Sequence, residues 1–94
     1  MNEQEKNSLS MKAWQTFGSK QYFMVVEECA ELIQATSKLF RKGPQELILD
    51  NVAEEIADVE IMIRQLKVAH PSLVDRVEEW EEQKLTRLSE LLEG

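Results

Sequence analysis

The stretch Arg41-Lys42-Gly43-Pro44 separates two long segments in which apolar residues recur with helical spacing. Glycine is favoured just beyond the end of a helix and proline in the first turn of the next, so this stretch predicts a tight connection between two helices. Similar breaks occur at Gly18-Ser19 and at His70-Pro71-Ser72. No strand-like alternation competes with this pattern. The sequence therefore predicts an all-α fold with four helices, at residues 4–16, 19–41, 45–69 and 72–92.

Length and composition limit what this chain can be. Its 94 residues suffice for one small domain, which we take as residues 1–94. One cysteine excludes an internal disulfide, and one histidine leaves no Cys/His zinc site, so we expect a reduced, cytoplasmic protein. The apolar runs are too short to cross a membrane. The polar residues 1–7 are expected to fray.

Acidic residues dominate the charge. The chain has 18 Asp and Glu against 11 Lys and Arg, which gives a formal net charge of −7. An acidic surface repels a phosphate backbone, so we do not expect nucleic-acid binding. Most of these acids fall at positions typical of a solvated helix surface. The few that do not are the ones that indicate function.

The two central helices carry more apolar surface than one chain can bury. On the second helix the apolar residues are Tyr22, Val25, Val26, Cys29, Leu32, Ile33, Leu39 and Phe40. An arc this wide needs more than one partner helix, so we expect a helical bundle formed by a homodimer or by a dimer of dimers. Cys29 lies within the arc with no histidine at hand to activate its thiol, so we expect a buried spacer and not a nucleophile.

Four carboxylates interrupt the apolar arcs. At about 100° per residue, Glu28 lies inside the arc of the second helix and Glu31 at its edge, whereas Glu27 points outward. The third helix repeats the construction, with Glu55 inside its arc and Asp58 at the edge. Members of each pair are spaced i, i+3, which places both on one helix face.

An antiparallel hairpin about Gly43 would bring the two pairs together. Glu28 and Asp58 are equally distant from Gly43 along the chain, and so are Glu31 and Glu55. Carboxylates held at one level repel one another and lose hydration, so they need protons or cations. An all-oxygen donor set suits Mg²⁺, with Mn²⁺ as a substitute, and bound Mg²⁺ commonly accompanies substrate phosphates.

Other interpretations of the carboxylates remain open. They could pair with lysines across a subunit interface, in a protein that is a non-catalytic acidic helical interaction module. A di-iron centre would require Glu-x-x-His motifs on the helices. The single histidine, His70, lies at a helix end, where a cap or a surface role is expected.

The two acidic motifs have the form EExxE…ExxD, at residues 27–31 and 55–58, with 23 residues between them. In this respect residues 21–66 resemble the MazG-like all-α nucleoside triphosphate pyrophosphohydrolases, in their compact phage or prophage form. The resemblance implies a four-helix MazG-like fold and Mg²⁺-dependent hydrolysis of nucleoside or deoxynucleoside triphosphates between the α and β phosphates. A phosphoribosyl-ATP pyrophosphohydrolase of the same superfamily is an alternative.

The resemblance also implies roles for individual residues. The Mg²⁺ ligands would be Glu28, Glu31, Glu55 and Asp58, which together with Glu27 make up the catalytic set. Glu27 is the first glutamate of the motif, and it would assist a second metal ion or act as a base toward water. Its outward angle is equally consistent with a surface role.

A triphosphate also needs cations from the protein. In the last helix Lys84 lies within the apolar face and Arg87 at its edge, which suits a phosphate clamp. Lys84 could instead pair with Glu81, three residues before it. Lys38 lies two turns beyond the first motif and could also reach the phosphates.

Aromatic residues offer a site for the base. Trp14 precedes the first motif, and an aromatic ring near a nucleotide can stack on the base. Core packing is the alternative for Trp14, and it is the role expected for Trp80.

Overall fold

In the computed structural model all 94 residues are described, and the chain forms four α-helices and no strands. The all-α prediction is confirmed, and each helix end lies within one residue of its predicted position. No helix combines the length and the apolar character needed to cross a bilayer. The four helices are α1 (Glu3–Phe17), α2 (Lys20–Lys42), α3 (Glu46–Ala69) and α4 (Ser72–Glu93).

Helices α2 and α3 form an antiparallel hairpin with the most extensive helix–helix contact in the chain. Gly43 ends α2 with a φ of 84°, a conformation that favours glycine, and its N–H donates to the Leu39 carbonyl at 2.8 Å. Near the open end of the hairpin, Gln21 Nε2 donates to Gln65 Oε1 at 2.7 Å, and both residues are buried. The two glutamines are equally distant from Gly43, so their hydrogen bond holds the hairpin in the predicted register.

Helix α1 packs along α3 and is well anchored at its start. The Glu5 N–H donates to Asn2 Oδ1 at 2.8 Å, and the Asn2 N–H donates to Glu5 Oε1 at 3.2 Å. Arg64 of α3 donates to Glu3 Oε2 and to Asn7 Oδ1, each at 2.8 Å. The expectation that residues 1–7 fray is therefore wrong for residues 3–7, which belong to α1 and are held by reciprocal capping and by the Arg64 bridge.

Within one chain little apolar surface is buried. The buried apolar residues are Ala35, Ile48 and Met62. Helix α4 packs against α3 alone and has no buried residue. Trp80, expected in the core, is exposed because neither α1 nor α2 contacts its helix. The broad apolar arcs found in the sequence are thus largely uncovered in the isolated chain.

The buried glutamine pair is expected to stabilise the hairpin. Replacing Gln21 by Leu leaves the Gln65 amide without its partner, which should lower the free energy of unfolding by about 1–3 kcal/mol. Replacing Gln65 by Leu as well removes the unsatisfied group, so the double variant should recover part of this loss. Urea unfolding at a fixed protein concentration measures all three variants. If the losses in free energy of unfolding from the two single variants simply add in the double variant, a direct interaction between Gln21 and Gln65 would be contradicted.

Candidate metal centre

The structure brings the four inward carboxylates together near the middle of the hairpin. Glu28, Glu31, Glu55 and Asp58 each offer one oxygen, and these four atoms lie within 4.8 Å of one another. Glu31 is exposed and the other three residues are half-buried. The helical angles and the distances from Gly43 predicted this convergence correctly. We refer to these four residues as the carboxylate cluster.

Two oxygens of the carboxylate cluster are buried without a hydrogen-bond partner, Glu28 Oε2 and Glu55 Oε2. They belong to the two residues that the sequence placed inside the apolar arcs, where the backbone donors are already used within the helices. A buried carboxylate oxygen without a donor is costly unless the group is protonated or bound to a cation. The neighbouring side chains therefore provide neither a hydrogen-bond donor nor a positive charge for these two oxygens.

The surroundings of Glu28 and Glu55 raise the pKa of both carboxyl groups. Burial raises the pKa of Glu28 above its ordinary value, and the carboxylates of Glu31, Asp58 and Glu55 raise it further. The pKa of Glu55 is raised first by burial and then by the adjacent Glu31 carboxylate, with smaller effects from Asp58 and Glu54. No cation opposes either shift.

No lysine or arginine of the chain neutralises the carboxylate cluster. The two ion pairs of the protein join Glu3 to Arg64 and to Lys6, and neither involves a cluster residue. Pairing with lysines across a subunit interface, one of the alternatives left open by the sequence, involves a second chain and stays a prediction. No histidine belongs to the cluster, as a di-iron centre of the bundle type would require. Four carboxylate oxygens at this spacing form a donor set that suits a small, hard divalent ion.

Glu27 lies outside the carboxylate cluster. Its side chain is exposed, as its outward angle predicts, and it borders a cavity of about 600 Å³. Phe17, Lys20 and Phe23 line the same cavity. The sequence analysis did not single out Phe23 or Lys20, although the i, i+4 spacing of Phe23 and Glu27 indicated a shared helix face. A role for Glu27 toward metal or water stays a prediction.

The cations expected at the phosphates are exposed and lie on different elements. Lys38 is on α2, whereas Lys84 and Arg87 are on α4, which does not contact α2. Lys84 Nζ lies 5.8 Å from the centroid of the Trp80 ring, within cation–π range, and it forms no ion pair with Glu81. The isolated chain does not bring the α4 cations to α2, so phosphate binding stays a prediction for all three residues.

Trp14 has packing partners within the chain. Its ring meets Tyr22 edge-on at a centroid distance of 5.0 Å and His70 at 5.9 Å. The Tyr22 hydroxyl and His70 Nε2 are 2.7 Å apart and share a hydrogen bond. These contacts join the end of α1 to the start of α2 and to the end of α3. Trp14 thus packs against other side chains of the chain, which is one of its two expected roles. The other role, stacking on a base, stays a prediction.

Cys29 is exposed, so the expectation of a buried spacer is wrong. Its side of α2 is turned about 100° from Glu28 and faces away from the hairpin contact. Apolar spacing identified the face of the helix on which Cys29 lies. It could not show that nothing in the same chain covers that face.

The chain matches no protein-family model, no curated protein and no solved structure. The likeness to MazG-like enzymes therefore depends on the two acidic motifs and on the spacing between them. The structure establishes the four-helix fold and the convergence of the four carboxylates. Any activity at this site is a proposal.

Divalent ions are expected to stabilise the protein through the carboxylate cluster. Binding to the folded state alone adds about 2.7 kcal/mol when the ion concentration is about 100 times the Kd. We expect Mg²⁺ or Mn²⁺ to raise the thermal midpoint of the wild-type protein and to leave that of Glu55→Gln unchanged. Glu60→Gln removes the same charge from an exposed position on the same helix and should keep the full response. Equal responses from the two variants would contradict binding at the cluster.

Without divalent ions, stability is expected to fall as the pH rises. A raised carboxyl pKa means that the folded state binds its proton more tightly than the unfolded state. This contribution to stability is complete below the ordinary pKa and is lost as the pH rises through the raised pKa. Glu28 and Glu55 act in this direction. Glu3, whose pKa is lowered by Arg64, acts in the opposite direction in every variant.

Thermal melts in EDTA from about pH 4 to pH 8 test this dependence. Glu55→Gln removes one ionisation and weakens the repulsion at its neighbours, so its stability should decline less steeply with pH than that of the wild type. Glu60→Gln should follow the wild-type curve. An unchanged slope for Glu55→Gln would show that the cluster does not govern this decline.

Proposed function

We propose that this protein is a Mg²⁺-dependent nucleoside triphosphate pyrophosphohydrolase. It hydrolyses nucleoside or deoxynucleoside triphosphates between the α and β phosphates and releases a monophosphate and pyrophosphate. Its cellular task is control of the nucleotide pool or removal of unwanted nucleotides. The observation that carries the proposal is the carboxylate cluster, formed by two motifs whose sequence and spacing resemble those of the MazG-like family.

An acidic site and a polyanionic substrate are compatible only if cations accompany the substrate. Ionised carboxylates and phosphates repel each other, and the chain provides no ion pair at the cluster. A divalent ion held by the carboxylate cluster would supply the positive charge that offsets this repulsion. The two orphaned buried oxygens, on Glu28 and Glu55, fit this requirement. They support a metal-dependent reaction on a phosphate substrate.

The chain's own residues have distinct parts in this proposal. The four carboxylates of the cluster hold the ion. When bound, the ion polarises phosphate oxygens and lowers the pKa of a bound water. Glu27 accepts a proton from the attacking water or helps to hold a second ion. Lys38, Lys84 and Arg87 add positive charge for the triphosphate, and Trp14 stacks on the base.

The working form in this proposal is a homodimer or a dimer of dimers. The exposed apolar surfaces of α2, α3 and α4 support it, because an isolated chain buries only three apolar residues. Since α4 does not contact α2 in one chain, its cations would also depend on assembly to approach a cluster.

A panel of nucleotides tests the activity. The pure protein is incubated with each NTP and dNTP and with phosphoribosyl-ATP, in the presence of Mg²⁺, and the products are separated by ion-exchange chromatography. We expect pyrophosphate and a monophosphate from at least one substrate. Release of orthophosphate would contradict cleavage between the α and β phosphates. No product from any substrate, together with no Mg²⁺ binding by calorimetry, would favour the non-catalytic interaction module.

The role of Glu55 can be tested by an isosteric change. Glu55→Gln keeps the shape of the side chain and removes its charge, so we expect kcat/KM to fall at least about a hundredfold, the scale for losing one electrostatic stabiliser. Circular dichroism should show unchanged helix content. Glu60→Gln should retain wild-type activity, since Glu60 is exposed and outside the cluster. Retained activity in Glu55→Gln would rule out the assigned role.

A further inference from the structure

A cavity of about 600 Å³ lies where α1 ends and α2 begins, and its volume is within the range of small-molecule sites, about 300–1,000 Å³. Phe17 and Phe23 line it and are 56% and 65% exposed. Aromatic rings left open beside a cavity offer flat apolar surfaces on which another planar ring can stack. We call this space the aromatic cavity. Its lining residues are Phe17, Lys20, Gln21, Phe23, Met24 and Glu27.

The turn between α1 and α2 brings Phe17 and Phe23 to the same cavity. Phe17 is the last residue of α1, and Gly18 follows it with a φ of 63°, a conformation that favours glycine. The chain therefore changes direction directly after the first of the two rings. Gln21, whose buried amide donates to Gln65, holds the first turn of α2 against α3. The aromatic cavity is thus built on the anchored, open end of the hairpin.

The aromatic cavity lies on the same side of α2 as the exposed carboxylate of the cluster. At about 100° per residue, Lys20, Met24 and Glu27 fall within about 40° of Glu31 around the helix. Along the helix axis, Glu27 is about 6 Å and Phe23 about 12 Å from Glu31. The cavity therefore begins about one turn from the carboxylate cluster and leads away from it.

Trp14 lies on the opposite side of α2. Its ring packs on Tyr22, which precedes Glu31 by nine residues and is therefore about 180° from it around the helix. The same side of the hairpin presents two uncharged apolar stripes, one on each helix. Trp14 and the aromatic cavity are thus separate places for contact with a base. The members of the stripes are Tyr22, Val26, Cys29, Ile33 and Phe40 on α2 and Leu49, Ile56 and Ile63 on α3.

We infer that the aromatic cavity binds the base of the nucleotide that reacts at the carboxylate cluster. The inference rests on the proposed function and assigns stacking on the base to Phe17 and Phe23 in place of Trp14. A nucleoside triphosphate carries its base and its phosphates at opposite ends. The cavity and the cluster offer one surface for each end, one to two turns apart on the same side of α2.

Stacking on phenylalanine also determines which bases the cavity takes. Every base has a π-face, so aromatic stacking tolerates different bases. The Lys20 ammonium group is a donor for the carbonyl oxygens and ring nitrogens that bases present as acceptors. The aromatic cavity should therefore bind both purines and pyrimidines.

Binding of nucleosides tests the cavity without phosphate, metal or turnover. The wild-type protein in EDTA is titrated with adenosine or cytidine, and with ribose as a control that has no base, while NMR follows the ring and backbone resonances. Both nucleosides should shift the resonances of Phe17 and Phe23, and ribose should not. Shifts confined to Trp14 and Tyr22, or no shift with either nucleoside, would overturn the inference.

Substitution of the phenylalanines tests the cavity in the proposed reaction. Phe23→Leu keeps an apolar side chain and removes the ring, so the KM of each accepted nucleotide should rise at least about fivefold. The kcat should change little, because the ground state and the transition state lose the same contact. Phe17→Leu should act in the same direction. The inhibition constant of inorganic tripolyphosphate, which has no base, should stay unchanged in both variants.

Phe40→Leu is the matched control for these substitutions. Phe40 is 91% exposed on the same helix and follows Glu31 by nine residues, which places it about 180° away. This variant should keep the wild-type KM. A KM raised by Trp14→Leu but not by Phe23→Leu or Phe17→Leu would overturn the inference and return the base to Trp14. Circular dichroism checks that each variant folds, and either phenylalanine variant of the cavity suffices for the comparison.

Failure of the cavity and failure of the proposed activity give different results. Hydrolysis with a wild-type KM in both phenylalanine variants of the cavity would reject the cavity and leave the activity standing. Nucleosides that bind at Phe17 and Phe23, in a protein that hydrolyses no nucleotide, would leave a base-binding site and reject the activity.

Discussion

The register of α2 against α3 is the constraint on which both the fold and the candidate site depend. Gly43 permits the short connection, and the Gln21–Gln65 hydrogen bond ties the two helices together near the open end. A shift of one residue in either helix would move its side chains by about 1.5 Å along the axis and turn them by about 100°. Such a shift would separate the carboxylates and break the amide pair, so neither can change without the other.

This register has an electrostatic cost. It places half-buried carboxylates beside one another, and two of their oxygens have no donor. The raised pKa values of Glu28 and Glu55 express this cost, because the neutral form is favoured where ionised groups repel and lose water. A surface selected only for stability would place these acids outward, as Glu27 is placed. The arrangement is explained if the cluster binds a metal cation, since no lysine or arginine side chain pairs with it.

Much of the hairpin could be predicted from the sequence because its information is local. Helical spacing gives the angle of each residue, and equal distance from Gly43 pairs Glu28 with Asp58. The capping of α1 by Asn2 and Glu5 was also readable from their spacing, although the terminus was expected to fray. Spacing cannot tell whether a partner covers an apolar face. For that reason Cys29 and Trp80, placed correctly on apolar faces, were wrongly expected to be buried.

The two sides of the hairpin have complementary physical roles. One side concentrates negative charge, which weakens the hairpin, and the other presents two uncharged stripes whose burial would strengthen it. The single chain buries only three apolar residues, so it has little internal packing with which to offset the carboxylate repulsion. Association of the proposed homo-oligomer through these stripes would supply that packing while leaving Glu31 and Asp58 on the open side. On this view assembly is what allows four carboxylates to be held close together before any cation binds, because the free energy that opposes their repulsion comes from the second chain.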